Sequence, residues 1–173
     1  EPVDYVLLLD IIEHMKNPER LAEEVHRLAS RNRDLRLIIT TGNIAFFVIR
    51  FMLLLGQFNY GPRGILDMTH TRLFTFASLR RLLENEGFVI ERTVGIPAPY
   101  PLAVGRGVLG RLLLGINRIL IPVSRGFFSY QMLMVSRPVP ALDWLMHDAV
   151  ADTLERGRAA QTSAAAPGGE ADV

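Results

Sequence analysis

The 173-residue sequence contains no cysteine, which excludes disulfides, zinc–thiolate sites, iron–sulfur clusters and thiol nucleophiles. Lysine is nearly missing as well: of 19 basic residues only Lys16 is not an arginine. The net charge of +1 supplies no whole-chain attraction for a polyanion, so nucleic acid is not expected as a partner. No apolar run is long enough to cross a bilayer. The most apolar stretch, residues 44–56, falls well short of a span and carries Arg50 at its centre. With 49% hydrophobic and 21% charged residues, neither disorder nor a coiled coil describes the chain as a whole. The length suits one domain with a real core. A thiol-free chain fits a reducing compartment, and a cytoplasmic location, at most at the inner face of a membrane, is expected.

The sequence opens on Glu1-Pro2-Val3, with neither an initiator methionine nor a basic segment before the first apolar run. It does not read as a signal peptide, and the expectation is a cut through a larger protein. Residues 3–10 (VDYVLLLD) form a short continuous apolar run, expected as a strand buried on both faces. Asn17-Pro18-Glu19 reads as a helix start, with Leu21, Val25 and Leu28 following at helical spacing. Residues 35–41 (LRLIITT) are a second strand, completing a βαβ unit. Residues 44–56 form a helix and 57–64 a Gly/Pro loop, a helical insertion expected to act as a lid or to lie at a membrane interface. In the helix of residues 75–87, Leu79, Leu82 and Leu83 face inward and Gly87 is the C-terminal stop. Strands are expected over 88–94 and 129–137, separated by an irregular stretch with Pro97, Pro99 and Pro101 and by a helix with an arginine stripe over 104–121. Past Pro138 the sequence predicts a short helix over 141–158, then a disordered Ala/Gly/Ser-rich tail.

Between Arg92 and Arg137 the chain has six arginines and no acid. Such a segment is either a solvated basic face or one turned toward anionic lipid or a phosphate-bearing substrate. Gly105-Arg106-Gly107-Val108-Leu109-Gly110 spells G-x-G-x-x-G, but no strand leads into it, so it is not read as a nucleotide fingerprint.

The order of elements puts Asp10, Glu13 and His14 just past the C-terminal end of a parallel strand, the edge at which open α/β sheets bind ligands. Two carboxylates and an imidazole within a turn suit acid–base chemistry or a divalent metal, and equally the capping of the next helix. His26, on the exposed side of its helix, and His147, in the tail, are not expected to function.

The run from Asp4 to Pro18 (DYVLLLDIIEHMKNP) resembles the fourth-strand segment of class I S-adenosylmethionine-dependent methyltransferases. The turn Thr40-Thr41-Gly42-Asn43, the segment Thr69-His70-Thr71-Arg72-Leu73-Phe74-Thr75 and the helix ending Glu86-Gly87-Phe88 follow in that family's order. The insertion and the Phe58-Asn59-Tyr60-Gly61-Pro62-Arg63-Gly64 loop look similar to methyltransferase domains associated with bacterial glycosyltransferases. The resemblance covers about residues 3–137 and implies an α/β, Rossmann-like methyltransferase sheet of which only the fourth to seventh strands are present. The Gly-rich turn and the ribose-binding acid of the family's first strands have no counterpart here. The resemblance therefore implies a C-terminal half over residues 1–137, inactive by itself, followed by a tail over 138–173.

The resemblance further implies a methyl-transfer enzyme using S-adenosylmethionine on a small-molecule or glycan-type acceptor, at oxygen, fused to or working with a glycosyltransferase. Leu9 and Asp10 then border the cofactor; His14, His70 and Glu13 are the catalytic candidates; Tyr60, Arg63 and Arg72 are acceptor contacts. Some relatives use an acid-x-x-Glu-His motif with a divalent metal, which Asp10, Glu13 and His14 match, and the resemblance places His70 where a later histidine joins it. The alternative is a non-catalytic module that binds a partner or a membrane surface through residues 44–56 and the arginines of 92–137.

Overall fold

Among the described residues, four strands form one mixed sheet in the order β1-β2-β4-β3, where β1 is Tyr5–Leu9, β2 Arg36–Gly42, β3 Phe88–Ile96 and β4 Gln131–Pro138. The computed structural model describes residues 3–139 apart from 30, 31 and 33. The predicted helix over 141–158, the tail and His147 lie outside the described residues. Strands β1 and β2 pair in parallel, whereas β4 runs antiparallel to both β2 and β3. The arrangement is an open α/β sheet with helical crossovers.

Helix α1 (Pro18–Ala29) links the parallel pair, and helix α3 (Phe76–Asn85) leads into β3. Both bury an apolar stripe: Ala22, Val25 and Ala29 from α1, Leu79, Leu82 and Leu83 from α3. These meet Leu8, Leu37, Ile39, Met132 and Met134 from one face of the sheet, together with Ile12, Leu35, Phe74 and Phe88. Each buried Val, Leu, Ile, Met or Phe among them contributes about 1.5–3 kcal/mol by leaving water. The start of α3 is legible in the sequence. Thr75 Oγ1 accepts from the Ser78 amide at 3.1 Å, and Ser78 Oγ accepts from the Thr75 amide at 2.8 Å, a reciprocal cap. The helix stops before Gly87, whose φ of +79° suits glycine.

Four expectations need correction. The β1 run was expected to be buried on both faces, yet β1 is an edge strand with Tyr5, Leu7 and Leu9 more than half exposed. An apolar run does not itself encode how many layers cover it. Leu28 lies on the exposed side of α1, because Ala22, Val25 and Ala29 form the seam against the sheet. The proline-bearing stretch is partly regular: β3 continues to Ile96, and Tyr100–Ala103 forms one helical turn, α4, with Pro101 in the first turn where a missing N–H costs nothing. His26 is half-buried, its Nε2 2.7 Å from the Val139 carbonyl and its ring edge-on to Phe88.

A second apolar cluster surrounds helix α2 (Phe47–Leu54), where Phe46 and Ile49 pack with Ile65, Leu66 and Ala98. Phe51, on the same helix, is 56% exposed. Asn43, fully buried after β2, ties this region together. Its Nδ2 donates to the Gly126 and Ser129 carbonyls at 3.0 and 2.8 Å, and its Oδ1 accepts from the Ala45 amide. Beyond it lie helix α5 (Val108–Leu120) and the short α6 (Arg125–Phe128), which lead back to β4.

Thr75→Ala removes the α3 cap and is expected to lower unfolding free energy by about 1 kcal/mol. Leu83→Ala, at a fully buried position, is expected to cost about 2–5 kcal/mol. Urea titration followed by circular dichroism measures both, and equal losses would contradict this division between cap and core.

Candidate functional site

The site is built where β1 ends. Asp10 turns the chain out of the sheet with φ +53°, a left-handed conformation that aspartate tolerates better than most residues. Its amide donates to the Thr40 carbonyl at 3.1 Å, and its carboxylate accepts from Thr40 Oγ1 at 3.1 Å and from Gln131 Nε2 at 3.0 Å to each oxygen. One acid thereby joins the ends of β1, β2 and β4.

Next comes a single 3₁₀ turn, Ile12–His14. Ile12 anchors it in the core, and Glu13 is buried. The Glu13 carbonyl accepts from the amides of Thr71 and Arg72 at 2.9 and 3.1 Å, fastening the segment that carries His70 against this turn. Glu13 Oε2 is buried without a hydrogen-bond partner. A carboxylate oxygen in that state is costly unless something outside the protein meets it.

The two histidines approach edge to face, with ring centroids 4.8 Å apart. His14 Nδ1 lies 3.2 Å from the Thr69 carbonyl and His70 Nδ1 2.9 Å from the Ile65 carbonyl. Carbonyls only accept, so the geometry assigns the proton to Nδ1 in each ring and leaves the Nε2 lone pair free. One ligand atom each from Glu13, His14 and His70 falls within 4.8 Å of the others. Such a group can accept a proton or hold a divalent cation, and a carbonyl behind each imidazole is the usual orienting partner in either case.

The cluster lines an open cleft of about 290 Å³ together with Asp10, Arg63, Asp67, Tyr130 and Gln131. Asp67 accepts from the Thr69 amide at 2.8 Å and from Thr69 Oγ1 at 2.7 Å. These bonds, amide first, hold its carboxyl below the usual carboxylate range, with a smaller pull from His70 and His14. Burial raises the Tyr130 phenol above its ordinary value, and the Asp10 charge adds to the rise. A second groove of about 250 Å³ opens on α2, between Phe46, Ile49 and Met52 on one side and Asn59, Arg63 and Tyr130 on the other.

Of the residues expected from the sequence, Asp10, Glu13, His14, His70 and Arg63 line the cleft, and Arg63 lines the second groove as well. Asp10 is separate from the three-residue cation group, because its carboxylate is held by Thr40 and Gln131. Leu9 is exposed on the sheet edge, Tyr60 stands edge-on to Phe58, and Arg72 pairs with Glu19 while lying over the Phe74 ring; none of the three lines the cleft. Tyr130 and Gln131 were not anticipated. They stand 120 residues or more from Asp10 in the chain, and no local pattern marks them. Asp67 had a local signal, an acid two residues before a threonine in a loop.

No family model matches the chain, and no curated protein matches it. Solved structures similar to it include the small RNA methyltransferase HEN1, at 18% identity and TM-score 0.49 over 82% of this chain and 14% of that one. Another is a SAM-dependent methyltransferase from Archaeoglobus fulgidus, at 16% identity and TM-score 0.44, covering 78% of this chain and 59% of that one. A third is magnesium protoporphyrin IX methyltransferase from Synechocystis with bound SAH, at 19% identity and TM-score 0.36, covering 79% and 44%. The chain spans less than two thirds of the length of each.

Because the folded-state pKa of Asp67 is depressed, its charge stabilises the fold above the unfolded carboxylate value of about 3.9, and this is lost as pH falls through the lower folded value. Asp67→Asn is therefore expected to be less stable than wild type at pH 7, and the gap to shrink as pH falls below about 4. Urea midpoints across that range test it; a constant gap would remove the charge from the explanation.

Proposed function

We propose that this chain is the C-terminal half of a class I methyltransferase domain, and that the complete domain transfers a methyl group from S-adenosylmethionine to a hydroxyl of a small-molecule or glycan-type acceptor. The observation that carries the reading is the Glu13–His14–His70 group, with both Nε2 atoms free, at the C-terminal edge of the parallel strands. The sequence resemblance supplies the reaction class.

The sheet supports incompleteness. Strand β1 has no neighbour on its outer edge among the described residues, and Tyr5, Leu7 and Leu9 point to the face opposite the α1–α3 core. Further strands and helices would cover exactly that edge and face, with the Gly-rich turn and ribose-binding acid among them. On this side, Asp10 at the strand end and Leu9 next to it are the residues that would meet the cofactor. When bound, S-adenosylmethionine supplies an electrophilic methyl carbon.

Transfer would form the bond from the acceptor oxygen to the methyl carbon as that carbon's bond to sulfur breaks and S-adenosylhomocysteine leaves, and the hydroxyl proton would pass to a base. His14 or His70 takes that proton on Nε2, while Nδ1 stays on its carbonyl and fixes the ring. Arg63, between the two grooves, is placed to orient a polar acceptor, and a working partnership with a glycosyltransferase belongs to the same reading. Glu13 beside the rings stabilises the imidazolium that forms. The unpartnered Glu13 Oε2 favours a second version in which Glu13, His14 and His70 hold a divalent cation and polarise the acceptor oxygen.

The test is made on the complete gene product. It is expected to bind S-adenosylmethionine in calorimetry while the 173 residues alone do not; no binding by the complete product overturns the reading. In that product His14→Ala and His70→Ala are expected to lower turnover by about 10²–10⁴-fold with cofactor affinity unchanged. Loss of activity in chelator, restored by magnesium or manganese, selects the metal version, and indifference to chelator selects the base.

A further inference from the structure

Helix α5 is mounted with its apolar side toward solvent. Val108, Leu109, Leu112, Ile116 and Ile119 are all exposed, Val108 and Ile119 by more than 70%. At 100° per residue these five fall within about a 100° arc, with Arg111 and Arg118 flanking it one heptad apart. The opposite side is pinned inward. Asn117 is buried, accepting from the Ala98 amide at 3.2 Å and donating to the Phe128 carbonyl at 2.8 Å. Gly110 is also buried, and a Cβ there would lie 2.3 Å from the Gly105 carbonyl oxygen. The helix cannot roll its aliphatic stripe under without orphaning Asn117 and colliding at Gly110.

The stripe continues past both helix ends through Leu102, Val104 and Val123, all at least half exposed. Arg106, Arg111 and Arg118 are exposed and make no ion pair among the described residues. No acid occurs between Arg92 and Arg137. We infer that this face of α5 docks in the plane of a bilayer surface containing anionic lipid, its aliphatics entering the acyl boundary and Arg106, Arg111 and Arg118 meeting lipid phosphates. A second copy fits less well, since a two-fold contact through α5 would set arginines of one sign against each other. At about 20 Å the helix is too short to span, and among the described residues no helix is long and apolar enough to cross a membrane. Helices of this kind lie on membranes, held jointly by apolar burial and by charge.

The test is co-sedimentation of the full chain with vesicles of phosphatidylglycerol and phosphatidylcholine, against vesicles of phosphatidylcholine alone. Binding to the anionic vesicles is expected, weakening as salt is raised to 0.5 M (about a 4 Å screening length). L112E/I119E is expected to abolish it. R111Q/R118Q, on exposed positions, is expected to weaken it about thirtyfold, at roughly fivefold for each basic residue near an anionic surface, and keeps the test decisive should L112E/I119E not fold by circular dichroism. No wild-type binding, or equal binding by R111Q/R118Q, overturns the proposal. So does a wild-type dimer in sedimentation velocity that L112E/I119E converts to monomer, which would assign the face to a second copy.

Discussion

The described fold depends on how the buried Asn43 side chain is satisfied. Both Nδ2 hydrogens are used on carbonyls that lie 83 and 86 residues away in the chain, and Oδ1 caps the turn into α2. The Asn43 amide itself donates to the Tyr130 carbonyl at 2.9 Å. Together these bonds fix where the long α4–α6 excursion returns to the sheet. A buried amide group left unmatched costs about 1–3 kcal/mol, so the return point is strongly specified. Once Tyr130 is seated, Gln131 is delivered opposite Gly42, where its side chain reaches Asp10.

From that delivery the site follows. Asp10, held between Thr40 and Gln131, ends β1 in a left-handed residue, and the chain can then make the tight turn that buries Glu13 and exposes His14. The Glu13 backbone in turn secures Thr71 and Arg72, which brings His70 beside His14. Two imidazoles 56 residues apart thus share one cleft because the Glu13 carbonyl, with the His14–Thr69 and Thr71–Met15 hydrogen bonds, holds their segments together. Their Nδ1 atoms are occupied by backbone oxygens, so the free Nε2 atoms are a property of the fold rather than of either residue.

Two of the apolar surfaces that the described residues leave exposed, β1 and α5, differ in kind. Among the described residues the outer edge of β1 has no paired strand, and Tyr5, Leu7 and Leu9 lie exposed on the face opposite the α1–α3 core. Helix α5 has its backbone bonds satisfied internally and presents side chains alone, edged by arginines. A fluid, anionic, apolar surface matches the second and would leave the first unsatisfied.

The sequence by itself determined the order of elements, the Thr75 cap, the Gly87 stop and the placing of Asp10, Glu13 and His14 at the end of a parallel strand. Each of these rests on interactions within a few residues, or on periodicity, and both are written locally. Arg63, Leu9, Tyr60 and Arg72 were all placed by family pattern, and of these four Arg63 alone lines the cleft. The tertiary structure alone decided that β4 runs antiparallel between β2 and β3, that Tyr130 and Gln131 line the cleft, and that α5 turns its aliphatics outward. Periodicity states which side chains share a face. Which face meets water is settled by contacts such as Asn43–Ser129, Asn117–Ala98 and Asp10–Gln131, made between residues far apart in the chain.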